Sequence, residues 1–435
     1  MGGGKPCAAL LALALPVAAA AQSSGPAAPV QRWRLPPDVR MLAQMGGNRE
    51  ALRLIEAEIG KCEAARDAKT VPDDNCIDLF ITATTLAQRV RDGVKATALA
   101  QRAVAAAERA LPPGHLDRAQ TRRLLASTLV QTPDAALAEY RVALALYRAA
   151  DSNAQDNVVD DMVDLLNAHS RYAEAEPLLR TMLDRTLARR GAAHPEVGAA
   201  LTNLSINLSA QRREAEAHPL LARALSIYEA ALPPNHPHIA VLLVNVGASL
   251  IALQRPQEAV PVLRRALALR EANLRAGHPD IAVALGALAN ALTAAGDVKG
   301  AEGALRRALD IRRAAFRLGS PAIANGIVSL AYNLGKQGRH AEAVALYREA
   351  RAIYAAAYPP GHPYRINGDW SLAAALLEGR TDLAEARSHF REAGRNATAR
   401  IGSYRDFDAG AMREAQSWRN IFAGQAKVAW ALAQR

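Results

Sequence analysis

Residues 194–235, "HPEVGAALTNLSINLSAQRREAEAHPLLARALSIYEAALPPN", carry two apolar stripes separated by a polar break. Leu201, Leu204 and Leu208 recur at helical spacing, and after "SAQRRE" a second stripe follows at Ala217, Leu221, Ala224 and Ile227. The spacing predicts a helix, a short polar turn and a longer helix. The pattern then repeats. Position 204 continues as Val246, Leu288, Leu330 and Leu372, and position 208 as Leu250, Leu292, Leu334 and Leu376. Ser205 becomes Gly247, Ala289, Ala331 and Ala373, always small, as a close helix approach requires. In the second helices Ala217 becomes Ala259, Ala301, Ala343 and, one residue late, Ala386. The same Ala column runs upstream through Ala175, Ala136 and Ala96, and more weakly Ala51, at spacings that vary. A single helix pair cannot bury its apolar face, whereas stacked neighbours share one continuous core. Few β-branched runs and no hairpin signals occur, so strand is not expected.

Punctuation follows the same period. Pro195, Pro237, Pro279, Pro321 and Pro363 stand 42 apart. Each opens a stretch such as "RAGHPDIA" (275–282) or "RLGSPAIA" (317–324). Proline suits the first turn of a helix, where a missing N–H costs nothing. The preceding residue then falls at the N-cap, a place where Ser320 is a good capping residue. His278 and its equivalents are therefore expected to be helix punctuation. Repeats stacked about a helix diameter apart do not converge on one ion at bonding distances of about 2 Å, so no metal is expected.

Through "LTNLSINL…AEAHPLLARALSIYEAAL…HP" the chain resembles a tetratricopeptide repeat of the kinesin-light-chain type, over roughly residues 76–400, in an exported bacterial form. The resemblance implies an all-α, right-handed superhelical solenoid of stacked antiparallel helix pairs, about eight or nine units in all. Its divisions are an N-terminal weak repeat or cap (37–75), repeats of variable length (76–193), five 42-residue repeats (194–401) and a C-terminal capping helix (402–435). It also implies that the first helices line a concave groove for peptides or partner proteins, where Asn side chains contact the backbone of an extended segment. The candidates are Asn203 and Asn245 in one column, Asn325 and Asn367 a turn earlier, and Asn290 and Asn333 a turn later. A side-chain amide both donates and accepts, which matches a peptide backbone. The alternative is that these amides are solvated or bond neighbouring helices. The chain departs from the family pattern early in the first helix, where Leu or Ile stands in place of the usual large aromatic and Asp369 occupies that place in the last unit, which puts the packing of that unit in question.

Outside the repeats, "MGGGKPCAALLALALPVAAAAQ" reads as a secretory signal peptide with cleavage after Ala21, followed by a linker over residues 22–36. That makes a periplasmic or secreted location the expectation, without membrane insertion of the mature chain. Cleavage would remove Lys5 and lower the formal net charge from +11 to +10. It would also remove Cys7, leaving Cys62 and Cys76, which in an oxidising compartment suggest a disulfide across the polar loop between them. The basic excess comes from 46 Arg and seven Lys, with no basic run interleaved with aromatics, so nucleic-acid binding is not expected. The Arg clusters "LRRALALREANLR" (263–275) and "LRRALDIRRAAFR" (305–317) lie on second helices, on the solvent side, with Arg264, Arg265, Arg306 and Arg307 among them.

There is no phosphate loop, His-Glu-x-x-His or nucleophile elbow, so neither enzymatic activity nor a cofactor is expected. The tail "FDAGAMREAQSWRNIFAGQAKVAWALAQR" (407–435) reads as an amphipathic helix. Phe422, Ala426, Ala429 and Ala433 are expected to share its buried face with Trp418. The function expected is a non-enzymatic scaffold of the bacterial envelope that binds a protein or peptide. The alternative is a structural organiser that self-associates through its convex basic face or C-terminal helix.

Overall fold

A computed structural model describes residues 36–69, 76–152, 154–402, 412 and 415–434. The expected signal peptide and nearly all of the linker lie outside these residues. Nineteen helices and no strand occur among the described residues, an all-α repeat solenoid. The chain divides into two compact units, one ending at His169 and one beginning at Ser170.

In the first unit, α1 (Pro37–Gln44) packs on α2 (Asn48–Asp67), α3 (Ile77–Arg89) on α4 (Gly93–Ala110), and α5 (Leu116–Thr128) on α6 (Pro133–Ala149); α7 (Ala154–Ala168) follows. Cys62 and Cys76 form a disulfide with a Cα–Cα distance of 5.9 Å, both sulfur-bearing residues fully buried. It ties α2 to the start of α3. The segment between them is less of a loop than the sequence suggests, because α2 continues to Asp67.

The second unit opens with α8 (Tyr172–Arg190). Five regular pairs follow: α9 (Pro195–Ala210) with α10 (Glu214–Ala231), α11 (Pro237–Ala252) with α12 (Pro256–Asn273), α13 (Pro279–Ala294) with α14 (Val298–Ala315), α15 (Pro321–Lys336) with α16 (His340–Ala357), and α17 (Pro363–Glu378) with α18 (Leu383–Gly402). The two stripes of residues 194–235 are all buried. The small column works as its composition requires: a Cβ added at Gly247 would lie 2.5 Å from the Leu263 side chain.

Local chemistry sets both ends of each of these five first helices. Each of the five prolines occupies the first turn. The residue before it is extended, and its side chain accepts a hydrogen bond from the backbone N–H two residues on. His278 Nδ1 accepts from Asp280 at 3.1 Å, Ser320 Oγ from Ala322 at 3.3 Å, and His194, His236 and His362 do the same. The imidazoles are thus N-caps. At the other end, Arg212, Gln254, Gly296, Gly338 and Arg380, again 42 apart, adopt positive φ. In each case the next N–H bonds back across the turn, as Arg213 does to Leu208 and Asp297 to Leu292. This is a Schellman closure, and two of the five positions use the residue that adopts it without strain.

The last helix, α19 (Arg419–Ala433), packs on α17 and α18, but on a different face from the one the sequence suggests. Trp418, Ile421, Gly424 and Val428 are buried, while Phe422, Ala426, Ala429 and Ala433 are exposed. Gly424 is the reason: the Phe390 ring of α18 lies where a Cβ would be, 2.1 Å from that position. Gln425 Nε2 donates to the Phe390 carbonyl at 2.8 Å on the same side. Close backbone approach at a glycine outweighs the burial of one more aromatic ring.

Candidate functional site

First helices within the second unit pack on one another, α11 with α13 and α13 with α15. No two second helices pack as closely among the described residues. The first helices therefore form the inner layer. Beyond their first turns α9, α11 and α13 carry no charged side chain. Exposed on this layer are Asn203, Ile206, Val241, Val283 and Asn290. At α15 the face gains Tyr332, with the Lys336 ammonium 5.4 Å above its ring.

The six candidate asparagines separate into three groups. Asn203, Asn290 and Asn367 are exposed and make no hydrogen bond with described residues; Asn245, half-buried, likewise has none. Asn325 is exposed but its Oδ1 accepts from the Tyr354 hydroxyl at 2.5 Å. Asn333 does not belong to the set. It is 1% exposed, its Nδ2 donates to the Val298 carbonyl at 3.0 Å and to Thr293 Oγ1 at 3.3 Å, and its Oδ1 accepts from Gln337 at 2.9 Å. It lies one residue past the column of Asn290, and 100° of helical rotation turns it from the groove into the joint between repeats.

That joint has a twin. Asn207 Nδ2 donates to the Tyr172 carbonyl at 3.1 Å and Gln211 donates to Asn207 at 2.8 Å, just as Asn333 and Gln337 do. Gln211 and Arg213 both reach Glu176, and Gln337 and Arg339 both reach Glu302. Hydrogen bonds from Arg306 and Gln337, outweighing partial burial, hold the Glu302 carboxyl down to about 2. The signal was present in the sequence as "NLSAQRREAE" (207–216) and "NLGKQGRHAE" (333–342), but it marks a clamp between repeats.

The outer Arg clusters are partly neutralised. Arg265 pairs with Glu229, Arg307 with Glu271, and Arg306 with Glu302, all at the surface. Arg264, Arg265, Arg306 and Arg307 are exposed, as expected. Two members of the same clusters are not. Arg270 turns inward, its side chain 11% exposed, and pairs with Asp280 at 2.6 Å. Arg312 also turns inward, and burial pushes its guanidinium's pKa down. Both share a column with Tyr228 and Tyr354, which are buried. That shared column was the available clue to their direction.

Asp369 is fully buried on α17. Arg351 Nε and His389 Nδ1 donate to its Oδ1, the latter at 3.1 Å. The acid in an apolar column is accommodated by two hydrogen-bond donors brought from neighbouring helices, the Arg351 guanidinium of α16 and the His389 imidazole of α18. Among the described residues no group of three His, Cys, Asp or Glu is placed to hold a metal, and no helix is long and apolar enough to cross a membrane.

Family models described as tetratricopeptide repeat match residues 197–238, 238–314 and 324–364. None of the curated proteins compared matches the chain. Among solved structures, the chain is similar to the nearly identical TPR-like repeats of a kinesin light chain from Podosopora anserina, at 24% identity over 49% of this chain and 99% of that one, with a TM-score of 0.42. It is also similar to BtubC (BKLC) from P. vanneervenii, at 18% identity over 62% of this chain and 92% of that one, with a TM-score of 0.33. A third, the apo form of RapI, shares 12% identity over 82% of this chain and 98% of that one, with a TM-score of 0.49. With their first-turn prolines and buried small columns, the 42-residue units over residues 197–314 and 324–364 are tetratricopeptide repeats.

Proposed function

We propose that this protein is a non-enzymatic scaffold that binds an extended protein segment along the first helices of its second unit. The observation that carries the reading is the inner layer of α9 to α17. It pairs exposed aliphatic residues (Ile206, Val241, Val283) with amides that have no partner among the described residues (Asn203, Asn245, Asn290, Asn367). Such a surface offers apolar contact to side chains and donor–acceptor pairs to a backbone. The tetratricopeptide architecture supports the same reading. Export to the periplasm belongs to the proposal and rests on residues 1–21; a mature protein whose mass starts at Gln22 supports it, and an intact cytoplasmic chain refutes it.

The test begins with capture of a partner from periplasmic extract by the mature chain. The partner is then titrated against Asn203→Ala/Asn245→Ala/Asn290→Ala and against Arg264→Ala/Arg265→Ala/Arg306→Ala/Arg307→Ala. Loss of amide contacts worth about 0.5–1.5 kcal/mol each weakens binding by about tenfold or more in the first set. The second set should change little. The reverse result assigns binding to the outer face.

A second reading, self-association, is favoured by one observation. Phe422 and Trp430 of α19 are 43% and 66% exposed. Light scattering on the purified chain distinguishes the two, since the second requires an oligomer without ligand.

A further inference from the structure

We propose that Arg312 forms a carboxylate-binding subsite on the inner layer of first helices, completed only by an acidic group of a bound extended peptide. The inference rests on the groove reading above and names one chemical requirement of the occupant.

Residues in the column of Arg312 reach inward from a second helix and pass between consecutive first helices. Tyr354 shows how far they extend: its hydroxyl meets Asn325, an exposed residue of the inner layer. Arg312 takes the same path one repeat earlier. A Cβ added at Gly286 of α13 would lie 3.8 Å from its Nη2, and one added at Gly326 of α15 would lie 3.0 Å from its Nη1. The guanidinium thus sits in a slot between α13 and α15 whose walls carry no side chain at those two positions. At the place equivalent to Asn325, 42 residues earlier, stands Val283, exposed and without an acceptor.

The neighbouring repeat shows what is missing. Arg270, one repeat before Arg312, pairs with Asp280 at 2.6 Å. The residue equivalent to Asp280 in the next repeat is Ala322. Arg312 accordingly makes no hydrogen bond or ion pair with any described residue. Burial disfavours its charged form, yet a guanidinium stays protonated at any physiological pH. A half-buried cation with its partner deleted is costly to the free protein, and a planar fork of N–H donors is matched best by a carboxylate. The surrounding face on α9, α11 and α13 carries no charge beyond the first turns. An acidic group seated in the slot would therefore meet Arg312 against the uncharged faces of α9, α11 and α13, which fixes the register of the peptide.

The experiment pans a random twelve-residue peptide library, displayed without a free C-terminus, against the full mature chain and against R312Q. Synthetic copies of the selected peptides are then titrated, with Asp or Glu replaced by Asn or Gln. The expected result is one Asp or Glu at a constant place among peptides selected by the native chain, absent from those selected by R312Q. Binding to R312Q, or of the neutral peptide to the native chain, should be about tenfold to a hundredfold weaker, the scale of a charged hydrogen bond. R312M without peptide should melt at the same temperature or higher, because an unpaired, half-buried cation is removed. Peptides that bind with no acidic preference overturn the subsite and leave the groove reading standing. Failure of any peptide to bind overturns the groove reading and the subsite with it. A marked fall in the melting temperature of R312M overturns the subsite by showing a structural role.

Discussion

Asp369→Ala removes a fully buried carboxylate and leaves its two partners behind. Deleting one member of a buried ion pair costs about 3–5 kcal/mol. Here the figure is lowered, because the Arg351 side chain is 33% exposed and can turn its charge to water, whereas the His389 ring, 15% exposed, has less room to find a new partner there. About 2–4 kcal/mol is the expected loss, local to α16–α18, since repeats couple mainly to their neighbours. The column offers the complementary change. Leu201, Leu243, Leu285 and Ile327 fill this place in the other units. Asp369→Ile with Arg351→Leu and His389→Leu should be neutral or more stable than the native chain by about 1–4 kcal/mol, as hydrophobic replacement of buried ion pairs often is. The pH dependence has a defined sign. Burial by itself would push the Asp369 carboxyl up, but hydrogen bonds from His389 and Arg351 outweigh it and hold the group below the usual carboxylate range. Its contribution is therefore present above the unfolded value of about 3.9 and is lost as pH falls through the lower folded value. Hydrogen exchange of the α17 and α18 amides, read alongside urea unfolding, measures the effect where it occurs. A cost below about 0.5 kcal/mol for Asp369→Ala, or a triple variant less stable than the single one, would refute the reading of this cluster, in which Oδ1 is bonded and the buried Oδ2 has no partner among the described residues, as a costly substitute for an apolar core.

Three further outcomes are expected. Arg212→Gly, Gln254→Gly and Arg380→Gly should each stabilise the chain, by up to the roughly 1–2 kcal/mol that a left-handed conformation costs a non-glycine residue, read as a rise in melting temperature; a fall would mean that the side chains, not the turn, matter there. His278→Ala should cost about 1 kcal/mol while His278→Ser, which restores the Ser320 arrangement, should cost little, as thermal unfolding can show; equal losses would deny the capping role. Reducing the Cys62–Cys76 bridge, which closes a loop of sequence separation 14, should destabilise the first unit by about 3 kcal/mol in the chain-entropy model and leave exchange in α9–α18 unchanged.

The sequence by itself determined the 42-residue unit, the two buried stripes in each pair, the small column at Ser205 and Gly247, and the helix starts at His-Pro and Ser-Pro. These follow from local geometry and from burial repeated at a fixed spacing, so a single unit contains the information. The tertiary structure alone decided where the edges of those stripes point. Asn290 and Asn333 look alike along the chain, yet one is exposed and the other is locked into the joint by Val298, Thr293 and Gln337. Arg306 and Arg312 belong to one cluster, yet one faces solvent and the other enters the slot beside Gly286 and Gly326. The buried face of α19 was fixed by Phe390 meeting Gly424, and the tolerance of Asp369 by Arg351 and His389. Gln337 apart, which lies at the end of the same helix as Asn333, the deciding partners lie on other helices, between about 14 and 40 residues away. Periodicity specifies which stripe is buried, but a side chain at the margin of a stripe is turned in or out by the shape and charge of what it meets.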